Sequence, residues 1–496
     1  MKSIMVVGTA SHVGKSSLVA GLCRLLWRKG WMVAPFKGQN MALNAYVTAT
    51  AGEIGYAQAL QAWGAKTTPR VEMNPILLKP QGDMTSQVII KGQVVGVTNA
   101  KEYYQNYFNL GWEAIVDCLT VLEKEFTLLI CEGAGSPVEV NLKHRDLTNM
   151  RIAKHLNADT ILVADIERGG VFAHIVGTLE LLEPEERALV KGIVINKFRG
   201  DQSILMPGIE WLEEYTKIPV LGVIPWFNSA LPAEDSLSLL DRTTKKNNHD
   251  LKINVVRLPR ISNFTDFDPL EAEEGVFIEY IKPEQKLGYP DAVILPGTKM
   301  TIADLLVLEK AGMLKQIREY VASGGTVLGI CGGFQMLGNQ ILDPDNLENV
   351  QDSSFGLDLL PIQTTLKPEK ITRQREVSAN YPHEGLPVDG YEIHQGYTEV
   401  IPALSKQKKT NFYYLFDDPS LGLVSHNMSV WGCYLHGIFD NGAWRRSWLN
   451  ILRQKRGLPT LPTGINNYRQ QREILLDSLA DLLEEHLDLS KVDFLS

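Results

Sequence analysis

The sequence predicts an α/β protein made of two doubly wound units in one chain. Three observations predict it. Short β-branched runs alternate with helical stretches through most of the 496 residues, a phosphate-binding loop follows the first run, and a glycine-flanked cysteine follows a later one. The length exceeds what one ordinary core supports. The expected divisions are residues 1–233 for the first unit, 234–250 for a linker, 251–455 for the second unit and 456–496 for a helical tail. The linker is placed where EDSLSLLDRTTKKNNHDLK loses periodicity. The tail is placed where Ile474, Leu475, Leu479, Leu482, Leu483 and Leu487 recur at helical spacing, as in a packing helix.

Composition narrows the class. A hydrophobic fraction of 44% and a charged fraction of 22% are those of a water-soluble globular chain. The net charge of −9 argues against a nucleic-acid or membrane-surface partner, while leaving room for a local basic pocket. Cys23, Cys118, Cys131, Cys331 and Cys433 are widely spaced with no C-x-x-C pair, the usage of a reduced cytoplasmic protein. No apolar run reaches the roughly 18 residues of a membrane span. A cytoplasmic location is therefore expected.

In the first unit, the buried run at residues 4–7 leads into Gly8-Thr9-Ala10-Ser11-His12-Val13-Gly14-Lys15-Ser16-Ser17, then an amphipathic stretch through Leu18, Leu22, Leu25 and Leu26. This is a P-loop. Its backbone N–H groups, from Gly8, Thr9 and Val13 to Gly14 and Ser17, wrap the phosphates of a nucleotide. Lys15 meets the β/γ charge, and the Ser16 hydroxyl is placed to ligate Mg²⁺. The interval from Gly8 to Gly14 is one residue longer than the usual pattern. The run at 31–36 ends in Lys37-Gly38-Gln39-Asn40-Met41-Ala42-Leu43-Asn44. Lys37, Gln39 and Asn40 stand where open α/β sheets bind ligands; an anionic or amide-rich substrate accounts for them, and so does an ordinary polar loop.

The run at 127–131 delivers Glu132 opposite the P-loop, a natural second support for Mg²⁺. The run at 160–164 ends at Asp165, either a member of the metal shell or a turn cap. The run at 192–195 ends at Asn196, suited to recognising a nucleotide base or to a plain αβ loop, and 219–224 closes the sheet.

In the second unit, runs at 253–257, 276–281 and 291–295 precede Pro296-Gly297-Thr298, and helical stretches at 301–322 lead to the run at 326–330. Gly329-Ile330-Cys331-Gly332-Gly333 then forms a G-x-C-x-G elbow. Glycines flank the cysteine because side chains on so sharp a strand-to-helix turn would clash, and the helix N-terminus favours a thiolate. A buried, inert thiol is the alternative. The backbone N–H groups of Gly297 and Gly332 are the candidates for an oxyanion hole. A thiol nucleophile needs a base, and spacing alone leaves His436 and His394 as rivals.

These motifs resemble known families. GICGGFQMLG, Pro296-Gly297-Thr298 and YLHGIFD resemble a class I (triad-type) glutamine amidotransferase domain of the cobyric-acid/cobyrinate branch. GTASHVGKSS, with the same extra residue, EGAGSPVEVNL and VINKFRGD resemble the dethiobiotin-synthetase-like P-loop NTPase domain. APFKGQNMALNA and DGYEIHQG are similar to segments of the cobyric acid synthase family. The resemblance implies that the second unit hydrolyses glutamine and passes ammonia to the first. The first would then amidate the b, d, e and g carboxylates of adenosylcobyrinic acid a,c-diamide, a corrinoid, with ATP.

It further implies that Cys331 is the nucleophile and His436 its acid/base. Gly14, Lys15 and Ser16 would hold the triphosphate, and Ser16 with Glu132 would serve Mg²⁺. One departure is visible: the carboxylate expected two residues after the histidine is absent, since position 438 is Ile. A Cys–His dyad oriented by a backbone carbonyl or another group is therefore expected, with Glu392 and Asp440 as candidates. The oligomeric state is left open. Competing readings are a cobyrinic acid a,c-diamide synthase, a cell-wall amidotransferase, and a non-catalytic P-loop scaffold with a degenerate amidotransferase module.

Overall fold

The computed structural model describes residues 1–82, 84–227, 249–401 and 412–492. The first unit centres on a six-stranded parallel sheet in the order Val220–Pro225, Val190–Phe198, Asp159–Asp165, Lys2–Gly8, Leu128–Glu132, Val33–Phe36. Helices cover both faces, so the strands read as continuous apolar runs; Ile4, Met5, Val6 and Val7 are wholly buried. The P-loop helix Lys15–Arg28 lays Leu18, Leu22, Leu25 and Leu26 on this sheet, as its spacing predicts. Parallel connections bring the carboxyl ends of the strands to one edge, where the P-loop, Glu132 and Asn196 gather.

The second unit has a seven-stranded sheet, ordered Val276–Ile281, Leu251–Val256, Ala292–Leu295, Thr326–Ile330, Val430–Cys433, Gly422–Ser425, Phe412–Tyr414. The first five strands are parallel and the last two antiparallel. The elbow strand lies at its centre. Next to it, fully buried Trp431 packs edge-on against Trp444 and Trp448, with centroids 5.4 and 5.8 Å apart. Truncating such a ring costs roughly 3–5 kcal/mol.

Two further sheets depart from the sequence reading. Residues expected as a polar loop after Phe36 include the strand Gln39–Met41, which pairs with Ile76–Gly82 and extends a hairpin of Thr85–Ile90 and Gln93–Asn99. Gln-Asn-Met has little strand propensity of its own; the apolar edge of Ile76, Leu77 and Leu78 supplies the partner. In the second unit, the long hairpin Ile362–Ala379 and Leu386–Val400 reaches over the first unit. There Thr372 donates to the Ala51 carbonyl at 2.8 Å and Gln374 to that of Val47 at 3.0 Å. Between the units, Ala42, Ala45, Val47, Leu77 and Ile89 pack with Tyr391 and Ile393.

Residues 234–248 of the expected linker lie outside the described residues. The tail helix Tyr468–His486 returns to the first unit and packs along the P-loop helix, burying Leu476, Leu479, Ala480 and Leu483. Arg24 of the P-loop helix is 1% exposed and pairs with Glu473 at 2.7 Å and Asp477 at 3.2 Å. Glu473 and Asp477 are 32% and 43% exposed, so losing the buried guanidinium costs roughly 1.5–3 kcal/mol, the range of hydrogen bonds to charged groups. Arg24→Ala is therefore expected to lower hydrogen-exchange protection of the tail-helix amides by roughly 100-fold, with the parallel strands little affected.

Candidate active sites

The elbow places Cys331 at φ 52° and ψ −111°, a conformation that few side chains adopt. Its glycines are sterically required. A Cβ on Gly333 would lie 1.9 Å from the Leu295 carbonyl oxygen, and one on Gly329 would lie 2.4 Å from the Gly333 backbone. Cys331 is 7% exposed, with its sulfur 3.6 Å from the Ile393 carbonyl. The Gly297 loop lies against it: a Cβ on Gly332 would sit 3.2 Å from the Thr298 nitrogen, and one on Gly297 would sit 3.3 Å from His436 Cε1. The two proposed oxyanion donors thus border the thiol and the imidazole.

His436 reaches this place because Leu435–His436 pairs with Tyr391 and Glu392 of the long hairpin. The imidazole is buried and lines the same pocket as Cys331. Its Nδ1 donates to Asp266 Oδ2 at 2.7 Å, and Asp266 Oδ1 accepts the Gly437 N–H at 2.9 Å. Burial disfavours the imidazolium, but the charge and hydrogen bond of Asp266, aided by Cys331, overcome it and raise His436 to about 10.

The orienting carboxylate therefore comes from Asp266, which sequence reasoning missed, and not from Glu392 or Asp440. Glu392 is paired with Arg373 and with His394 at 3.2 Å, and Asp440 with Arg472 at 2.9 Å. His394 lines the same pocket but stacks on Tyr434 with centroids 3.7 Å apart, and burial lowers its pKa. A signal did exist. Asp266 lies between buried Phe264 and Phe267, where an acidic residue needs a partner.

At the other site, Gly14 caps the P-loop helix at φ 97°. The Thr9 N–H is used by the Val163 carbonyl at 2.9 Å, and Val13 presents its carbonyl to Asn196 Nδ2 at 2.8 Å. Asn196 thus braces the P-loop. Asp165 caps the turn at Glu167 and pairs with Lys197 at 2.8 Å, which favours the turn-cap reading over a metal role.

Glu132 is the meeting point of the site. It is 1% exposed and accepts from Ser16 Oγ at 2.8 Å, Lys37 Nζ at 2.9 Å and Gln61 Nε2 at 2.5 Å. Lys15 Nζ donates to the carbonyls of Ala10 and Gly135, both at 3.1 Å. Lys37 is therefore brought to the phosphate loop, whereas Gln39 and Asn40 are not. Gln39 accepts from the Tyr103 hydroxyl at 2.5 Å and Asn40 donates to Gln58 at 2.8 Å. A cavity beside Gly14, Ser17 and Asn196 is walled by Trp226 and by Leu479 and Leu483 of the tail helix.

The raised value of His436 has a consequence for stability. With a folded value of about 10 against an ordinary unfolded value of roughly 6.5, the pair with Asp266 stabilises fully below the lower value and progressively less as pH rises through the upper one. Asp266→Asn is expected to destabilise by roughly 3 kcal/mol at pH ~6.5 and by little above pH ~10. Urea unfolding of both proteins at each pH measures the difference.

Known proteins show the same layout. The model of the CobB/CobQ-like glutamine amidotransferase domain matches residues 252–444, and that of the CobQ/CobB/MinD/ParA nucleotide binding domain matches residues 4–238. The chain is 64% identical over 492 residues to cobyric acid synthase of Rippkaea orientalis, covering 99% of each. It is 65% identical over 490 residues to that of Nostoc sp., again covering 99% of each. With that of Trichodesmium erythraeum it shares 64% identity over 493 residues, covering 99% of this chain and 100% of the relative. End-to-end similarity of this order, together with both domain matches, means that the chain belongs to the cobyric acid synthase family.

Proposed function

We infer that the chain is an ATP- and glutamine-dependent carbon–nitrogen ligase that amidates the b, d, e and g carboxylates of adenosylcobyrinic acid a,c-diamide in cobalamin biosynthesis. The observation that carries this reading is the end-to-end likeness to relatives of that name, in a chain that holds both Cys331 with His436 and Lys15 with Glu132. The same pairing of sites disfavours a degenerate scaffold. A reduced cytoplasmic setting suits the five free, buried cysteines.

At neutral pH the Asp266-paired imidazole favours its proton, and Cys331 attacks the glutamine amide carbon through its sulfur. The oxyanion faces the N–H groups of Gly297 and Gly332. His436 gives its proton to the departing nitrogen, so that nitrogen leaves as neutral ammonia. The imidazole then takes a proton from water, which hydrolyses the thioester to glutamate.

At the P-loop, Lys15 and the loop N–H groups hold the triphosphate while the acceptor carboxylate takes the γ-phosphoryl group. Ammonia then displaces phosphate from the acyl phosphate, leaving the amide. The Ser16 hydroxyl and Glu132 carboxylate, 2.8 Å apart, are hard oxygen donors that fit Mg²⁺. When bound, that ion offsets the phosphate charge. In this reading Lys37, paired with Glu132, meets the acceptor carboxylate, while Gln39 and Asn40 are bonded to Tyr103 and Gln58. Asn196 fits the edge of the base pocket.

Two substitutions separate the half-reactions. Cys331→Ala is expected to abolish glutamine-dependent amidation and to keep ammonia-dependent amidation, followed by mass spectrometry as OH-to-NH₂ exchange on the corrinoid. Loss of both would count against the thiol as ammonia source. Lys15→Ala is expected to lower turnover by at least ~100-fold with either nitrogen donor, and substantial survival would remove the P-loop assignment.

A further inference from the structure

The pocket of Cys331 is closed from its far side by the first unit. Leu43, Lys79 and Gln81 of that unit face Lys299, Lys370 and His394 of the second across it. Lys79, on the strand Ile76–Gly82, is 5% exposed at its side chain, and Lys370, on Ile362–Ala379, is 10% exposed. Both pair with one carboxylate, that of Glu53, which is itself 1% exposed. Burial works against the charge of Glu53, but Lys370 and Lys79 outweigh it and hold its pKa at about 2.

Lys299 follows the Gly297 loop and donates to the neutral amide oxygen of Gln395 at 3.2 Å. The carboxylate that lines the pocket, Glu348, accepts the backbone N–H groups of Thr301, Ile302 and Ala303 at 2.5, 2.9 and 3.1 Å. It is committed to a helix start. Three lysines thus converge where one carboxylate answers two of them. Burial, with Lys370 and Lys79 beside it, pushes Lys299 down to about 7. Clustered ammonium groups in a buried pocket are costly unless an anion joins them.

Glutamine brings that anion. With its side-chain amide at Cys331, its α-carboxylate would lie in the same pocket that Lys79, Lys299 and Lys370 line. We propose that Lys79, Lys299 and Lys370 bind the α-carboxylate of glutamine, so that the synthetase unit supplies part of the glutaminase pocket. The proposal rests on the glutaminase reading of Cys331. Its consequence is that glutamine is gripped fully only when the sheet carrying Lys79 is seated on the second unit. Ammonia release is thereby tied to the presence of the unit that consumes it.

The test compares glutamine with its α-carboxamide, in which the anion is replaced by a neutral amide, as substrates of the full chain with ATP and corrinoid present. The wild-type chain is expected to prefer glutamine by roughly 10- to 100-fold in kcat/KM, the range of a hydrogen bond to a charged group. Lys79→Met and, independently, Lys370→Met are expected to raise KM for glutamine by a similar factor with a small change in kcat. Each should also shrink the preference over the α-carboxamide. Equal losses toward both substrates, an undiminished preference, or a rise confined to the KM of the corrinoid would overturn the proposal and leave the glutaminase reading intact. A wild-type chain that hydrolyses no glutamine would overturn both.

Discussion

The ion pair between His436 and Asp266 is the contact on which the second site depends. A charged imidazole and a carboxylate, both almost wholly buried, are stable only when each satisfies the other and the remaining lone pairs are filled. Gly437 fills one of them. The segment that carries Asp266 is in turn fixed by the first unit. The Phe264 N–H donates to Asn44 Oδ1 at 3.0 Å, and Asn263 Nδ2 donates to the Ala45 carbonyl at 3.1 Å. Tyr391 stacks on His436 with centroids 5.5 Å apart while its hydroxyl donates to the same Ala45 carbonyl at 3.0 Å. Docking of the units and alignment of the imidazole are therefore one set of bonds.

That set extends to the phosphate loop through a short piece of chain. Lys37 lies on Glu132, and Asn44 and Ala45 lie on the Asp266 segment, with the strand Gln39–Met41 between them. Asn74 holds the middle, donating to the carbonyls of Lys37 at 3.1 Å and Ile76 at 3.0 Å and accepting from Gly55 N at 2.9 Å. A segment fixed at both ends and bonded along its length has few ways to move one end without the other.

Most of the framework was legible because buried parallel strands announce themselves. The runs at 4–7, 160–164 and 326–330 are apolar on both faces, and the loops at their ends carry the P-loop and the elbow. What escaped was whatever depends on contact between distant segments. Asp266 is an acidic residue in a short helical turn, and nothing in its spacing to His436 betrays that their side chains meet. The strand Gln39–Met41 forms only because Ile76–Gly82 offers it an edge. Lys79 reads as one polar residue in an apolar strand until the second unit is laid against it. The missing carboxylate at position 438 was visible as an absence, but its replacement was supplied by tertiary structure.

The tail resolves how the units stay together. The chain passes from the first unit to the second and then returns, so the second unit is tethered on both sides. Arg472 of the tail helix reaches Asp440, four residues after His436, and the Tyr56 hydroxyl at 2.8 Å. Further along, the same helix is pinned by Arg24 and ends with Leu479 and Leu483 beside the P-loop cavity. Two covalent tethers keep the effective concentration of one unit for the other high, so a polar and only partly apolar interface suffices to hold them. Tethering at both ends lets modest contacts at Asn44, Ala45 and Glu53 act as an intramolecular joint.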